Sequence, residues 1–319
     1  MKILVTGGCG YKGSVLVPLL LSDGYDIISV DTQWFGNNLQ EHSHLTNIKS
    51  DIRDIQLALL DGVDAIIHLA NIANDPAVEL NPTLSWEVNV LAGQQLADLA
   101  VRAGVKQFIY ASSGSVYGVK DEPRVTEDLT LIPISVYNKT KMVAERVFLS
   151  YVDQMQVHCI RPATVCGVSP RMRLDVSVNM LSYQALKNGK ITVFGGDQTR
   201  PNIHIQDIAN VYRHFLTKPD IASGCYNAGF ENISILDIAE QVKSQIGAEI
   251  VVSASNDPRS YRQDSSKLLA TGFKPSHSVA DAISQIADAF AQNSLPDGDS
   301  CYTVKWMRHL DLASPGVAP

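Results

Sequence analysis

The sequence predicts an α/β fold: a doubly wound parallel sheet followed by a smaller C-terminal α/β substrate lobe. Three observations predict it. Short apolar runs alternate with helical stretches through about residue 165, the rhythm of strands joined by crossover helices. A glycine cluster, Gly7-Gly8-Cys9-Gly10-Tyr11-Lys12-Gly13, sits between the first apolar run and the first helical pattern. Beyond Pro170 the alternation breaks, which marks a second unit.

Lys2-Ile-Leu-Val-Thr6 is a short apolar run and reads as a buried parallel strand. The glycines that follow satisfy both G-x-x-G-x-x-G and the Rossmann-type G-x-G-x-x-G. They allow a tight turn, close backbone approach to a pyrophosphate and close helix–strand packing. The next helix then points its free N–H groups at phosphate. Residues 25–30 form the second strand, which ends in Asp31. An acidic residue there fits a hydrogen bond to adenosine ribose hydroxyls and repels a 2′-phosphate, so the expected cofactor is NAD rather than NADP. A third strand contains Ile48 and ends at Asp51, and a fourth covers residues 65–70. A long helix is expected over 82–103, a fifth strand over 107–112, a helix over 135–149 and a strand over 157–160. Then come a helical stretch over 171–188, a strand over 191–194, a turn at Gly195-Gly196-Asp197, and helices over 208–216, 234–246 and 278–291. The expected organisation is an NAD-binding domain of residues 1–168 plus about 205–228. A substrate lobe takes residues 169–204 and 229–293, and 294–319 is an irregular tail.

Composition narrows the function. The chain has 319 residues, 45% of them hydrophobic, enough for a large core or two lobes. A formal net charge of −7 argues against nucleic-acid binding. No apolar run reaches the roughly 18–20 residues of a membrane span. The first strand begins at residue 2, so no signal peptide is visible. The five cysteines make no C-x-x-C pair and read as reduced cytosolic thiols, so a cytoplasmic location is expected. No metal-ligand spacing is evident, and none is expected.

Tyr137 and Lys141 are a candidate catalytic pair. Four residues apart on a helix they share a face, with Cβ atoms roughly 5–6 Å apart. An ammonium beside a phenol favours the phenolate and lowers its pKa. A phenol poised nearer neutrality can pass a proton to and from a sugar hydroxyl.

Taken in order, Thr6-Gly-Gly-Cys-Gly-Tyr-Lys-Gly13, Asp31, Asp51-Ile-Arg-Asp54, His68-Leu-Ala70, Asn89, Ser112-Ser-Gly-Ser-Val-Tyr-Gly118, Tyr137-x-x-x-Lys141 and Arg161-Pro162 resemble the extended short-chain dehydrogenase/reductases. Within them the match is to the NAD-dependent nucleotide-sugar epimerase/dehydratase family. The resemblance covers residues 1 to about 290. It implies that Gly7, Gly10, Tyr11 and Gly13 hold the dinucleotide, and that Asp51 and Ile52 lie beside the adenine. It sets Leu69 and Ala70 against the ribose and diphosphate, and adds Asn89, Pro162, Tyr137 and Lys141 to the cofactor contacts. His68 is expected to be a satisfied sheet residue. The catalytic set implied is Ser113, Tyr137 and Lys141, with Ser113 sharing the substrate oxygen with the phenol.

The loop after Ser113 reads Gly114-Ser115, where related 4,6-dehydratases resemble Asp-Glu. Neither side chain can act as a carboxyl acid or base. That favours an epimerase working through a transient 4-keto intermediate, with hydride chemistry supplied by NAD. The alternatives are a dehydrogenase, reductase or dehydratase of the same family, or a non-catalytic NAD-binding regulatory protein. The substrate implied is a nucleotide-diphosphate sugar, held by Ser113, Asn179, Arg200, and Arg259 or Arg262. Pro201 replaces a usual Asp after Arg200, and Thr164-Val-Cys-Gly167 lacks the family's aromatic residue. A homodimer is implied through the helices at 82–103 and 135–149, with Leu91, Leu96, Leu99, Met142, Val143 and Val147 as the second apolar face.

Overall fold

The computed structural model describes residues 1–254 and 260–313. Seven parallel strands form the main sheet: β1 (Lys2–Thr6), β2 (Asp26–Asp31), β3 (Leu45–Lys49), β4 (Ala65–His68), β5 (Gln107–Ala111), β6 (Gln156–Pro162) and β7 (Gly224–Ala228). Their order is β3-β2-β1-β4-β5-β6-β7. The chain therefore winds outward from β1 to β3, then returns to β4 beside β1. The crevice at that switch point is where this sheet class takes its ligand. Ile3, Leu4 and Val5 are all fully buried, because helices cover both faces of the sheet. Leu16, Leu20, Ile208 and Phe215 pack one face, and Leu96, Ala144 and Phe148 the other.

The long helix predicted over 82–103 is interrupted. It runs Pro82–Trp86, takes a π-helical turn over Glu87–Leu91, and resumes as Ala92–Ala103. The helix Val136–Leu149 is capped by Ser135, whose side chain accepts from the Asn138 N–H. Of the residues expected on a second apolar face, Leu96 and Leu99 are buried in the chain's own core, whereas Leu91 is exposed.

The smaller lobe contains the strand expected over 191–194 and others that the sequence reading missed. Thr199–His204 lies between Glu231–Ser234 and Thr164–Cys166 in one sheet, and Glu249–Ser253 pairs with Lys190–Phe194 in another. Three to six residues of mixed polarity are too few to give a period. Helices Ser177–Asn188, Ile235–Ile246 and Val279–Ala291 bury Leu181, Ile238, Val242 and Ile283 around them. Two expectations are corrected here. The helix predicted from 171 begins only at Ser177, which leaves residues 171–176 as an irregular, bent segment that brings Arg171, Arg173, Asp175 and Val176 to the cleft. The tail expected to be irregular forms a turn, Asp299–Cys301, and a helix, Thr303–His309. Among the described residues no helix is long and apolar enough to cross a membrane.

Candidate functional site

A cleft of about 1100 Å³ opens at the β1/β4 switch point. Its floor is the glycine loop. Gly7 has φ +75°, and a Cβ there would stand 2.7 Å from the Ala70 nitrogen. A Cβ on Gly13 would stand 2.3 Å from the Gly7 carbonyl oxygen. Only glycine lets the loop fold this tightly under the chain leaving β4. Gly7, Gly10, Tyr11 and Gly13 all line the cleft. Asp31 stands at the end of β2, where its carboxylate accepts the Cys9 and Gln33 N–H groups. Asp51 and Ile52 line the same end, with the Asp51 carboxylate bound to Arg53 at 2.9 Å. Leu69, Ala70 and Pro162 also line it. His68 is buried, with Nδ1 2.7 Å from the Thr6 hydroxyl. Burial pushes its pKa down to about 3, so it is a neutral sheet residue.

Ser113 and Tyr137 share one wall of the cleft. Ser112 also reaches the lining, but its buried hydroxyl is committed to Glu145 at 2.5 Å. Glu145 in turn forms a buried pair with Arg161 at 2.8 Å. Ser113 Oγ lies 2.8 Å from Ser115 Oγ. Burial pushes the Tyr137 phenol up to about 12; a hydrogen bond from Ser113 and the charge of Arg173 pull it the other way, while Asp75 adds to the rise. This reverses the expected lowering by Lys141. The Lys141 ammonium donates to the Ala111 carbonyl at 2.6 Å and lies 5.8 Å from the centre of the Tyr137 ring. It is buried behind the cleft wall, and that burial, with the charge of Lys12, drives its own pKa well down.

Three further expected contacts lie elsewhere. Asn89 is buried and holds the chain after β4: its Oδ1 accepts the Ile72 N–H at 2.8 Å. Asn179 does not line the cleft. Its amide donates to the Tyr11 hydroxyl at 3.0 Å and the Arg173 carbonyl at 2.9 Å, so it is a brace beneath the lining. Arg262 is exposed and outside the cleft, and its carbonyl accepts the Val125 N–H. Arg200 lines the cleft from the smaller lobe, beside Tyr261. Arg259 lies outside the described residues.

Sequence reading missed several lining residues. Lys12 is half-buried, 3.4 Å from the Tyr212 hydroxyl, and burial pushes its pKa down to about 8. Arg171 stacks on Phe35, 4.0 Å from the ring centre. Arg173 pairs with Asp175 at 2.8 Å, and its Nη2 is buried without a hydrogen-bond partner. Asp75 faces the cleft and accepts the Ser135 hydroxyl. Two arginines one residue apart, Arg171 and Arg173, were the available signal. Among the described residues no His, Cys, Asp and Glu cluster could hold a metal ion.

The residues fit a dinucleotide. A loop that only glycine permits, an acid at the end of β2 and an unpartnered guanidinium nitrogen together suit diphosphate, ribose and a second anionic ligand. Comparison with known proteins agrees. A model of the NAD dependent epimerase/dehydratase family matches residues 3–229. An uncharacterized UDP-glucose epimerase, YtcB, of Bacillus subtilis is 31% identical over 80% of this chain and 85% of its own. UDP-glucuronic acid decarboxylase 1 of Danio rerio is 27% identical over 95% of this chain and 76% of its own. The solved UDP-glucuronic acid 4-epimerase of Bacillus cereus, in complex with UDP-glucuronic acid and NAD, has a TM-score of 0.81 at 29% identity and covers 92% of this chain and 100% of its own. With its glycine loop, the acid at the end of β2 and a matched stretch spanning most of the chain, the protein belongs to the NAD-dependent epimerase/dehydratase family, and NAD is its cofactor.

Proposed function

We propose that this protein is an epimerase of a nucleotide-diphosphate sugar that works through a transient 4-keto intermediate. The observation that carries the reading is the loop after Ser113, which faces the cleft beside Tyr137 and, as Gly114-Ser115, supplies hydroxyls but no carboxyl group of its own. Tyr137 holds the proton of the sugar hydroxyl at its phenolic oxygen, and Ser113 shares the hydrogen bond. Lys141, fixed on the Ala111 carbonyl, orients the ring from behind. NAD, when bound, accepts and returns the hydride, and its positive ring offsets the burial that raises the phenol. Arg173 supports an acidic sugar: a buried guanidinium nitrogen with no partner suits a carboxylate. A panel of nucleotide sugars, uronates included, followed by NMR with NADH absorbance in parallel, tests this. Epimer formation without net NADH is expected; stoichiometric NADH would overturn it.

Asp75 favours a second reading. It brings a carboxylate to the Tyr137 side of the cleft, where a base can remove the proton beside a ketone. Deuterium from solvent would enter the sugar carbon in that case, and would not in a simple C4 inversion. A homodimer through residues 82–103 and 135–149 rests on exposed Leu91 and half-buried Val143 and Val147; sedimentation velocity at micromolar concentration tests it.

A further inference from the structure

We propose that the C-terminal segment Tyr302–Arg308 is part of the dinucleotide site, a strap across the crevice that retains the cofactor. Strand order gives the geometry. The glycine loop leaves β1, and β1 lies between β2 and β4. The strap is fastened to both neighbours of that loop. On the β2 side the Trp306 indole N–H donates to the Trp34 carbonyl at 2.5 Å, three residues beyond Asp31. On the β4 side the helix Thr303–His309 packs against the helix Asp75–Leu80, and Asn81 donates to the Leu312 carbonyl at 3.3 Å. A segment held at both points spans the mouth of the cleft that the glycine loop also lines.

A third fastening comes from the segment that joins the lobes. The Thr303 N–H donates to Asp175 at 3.0 Å, and Arg171 donates to the Thr303 hydroxyl at 3.2 Å. Arg171 also stacks on Phe35, so one guanidinium ties the strap to the chain after β2. Met307 is buried against the main core. Tyr302, Thr303, Val304 and Met307 face the cleft itself. Two of these contacts use buried polar groups, Arg171 and Thr303, and such pairs are costly to break. For a dinucleotide lying on the glycine loop, departure then requires the strap to lift. The inference rests on the cofactor alone and holds whichever reaction the enzyme runs.

The test uses the full chain. Hydrogen exchange of the amides of residues 303–309 is measured with and without NAD; slower exchange with NAD is expected, and unchanged exchange would overturn the proposal. NAD dissociation is then timed for the wild type, Trp306→Ala and Thr303→Val, with circular dichroism reporting the fold. Dissociation at least tenfold faster in Trp306→Ala, and faster to a lesser degree in Thr303→Val, is expected. A wild-type rate in folded Trp306→Ala would overturn the strap.

Discussion

The two sides of the cleft are built on different principles. The glycine-loop side comes from consecutive residues, Gly7 to Gly13, at the end of one strand. Its shape is set by backbone that a single Cβ would block. The opposite side is gathered from distant segments: Arg171 to Asp175, Tyr261, and Tyr302 to Met307. It is held by side chains that reach across more than a hundred residues, such as Arg171 to Thr303 and Asn179 to Tyr11. The first side is rigid and generic for a dinucleotide. The second is where selectivity for the sugar and retention of the cofactor can differ from one relative to another.

Substitutions can break this contrast. The largest effect is expected at the junction of the two sides. Tyr137→Phe should lower kcat by about 10²-fold or more, the scale of a lost general acid/base, with NAD affinity nearly unchanged because the ring remains. Turnover within twofold of wild type would refute the assignment. Next is Gly13→Ala, which sets a Cβ 2.3 Å from a carbonyl oxygen. Overpacking of this kind costs about 1–3 kcal/mol, so calorimetry should show NAD binding weakened by roughly tenfold or more.

On the gathered side, Arg173→Ala should raise KM for an acidic nucleotide sugar by about tenfold and leave NAD affinity alone. Equal loss of both would erase the distinction drawn here. The smallest effect is expected for Lys12→Met. Burial holds the Lys12 ammonium down to about 8 from 10.5, so its charge costs more in the folded chain than in the unfolded one. The substitution should raise the melting temperature of the cofactor-free protein by roughly 2–4 °C at pH 7. The gain should fade between pH 8 and 10.5, where first the folded and then the unfolded chain loses the proton.

The same contrast explains what could be read in advance. The glycine loop, Asp31 and the alternating strands were legible because their signals are local. Tyr137 was singled out by its spacing to Lys141 and Ser113 through family spacing, and the structure sets both Ser113 and Tyr137 on the cleft wall. Lys141, Asn89 and Asn179 lie behind the lining because each is bonded to backbone; in a sequence, a polar residue that braces a site reads like one that touches ligand. Arg171 and Arg173 were hidden by a helical pattern that seemed to start too early. The tail was hidden by its composition: Leu295-Pro-Asp-Gly-Asp-Ser300 reads as loop, and the helix beyond it is only seven residues long.

The π-helical turn at Glu87–Leu91 has a practical consequence for anyone redesigning this scaffold. A π turn accommodates one residue more than an α-helix would, and Asn89 lies inside it. From there its amide grips the chain after β4 and donates to Thr140 on the helix that carries Tyr137. Deleting one residue would straighten the helix and improve its regularity. It would also rotate Asn89 away by about 100° and uncouple two halves of the site. Stabilisation programmes that reward ideal geometry would select that deletion, and activity would be lost with it.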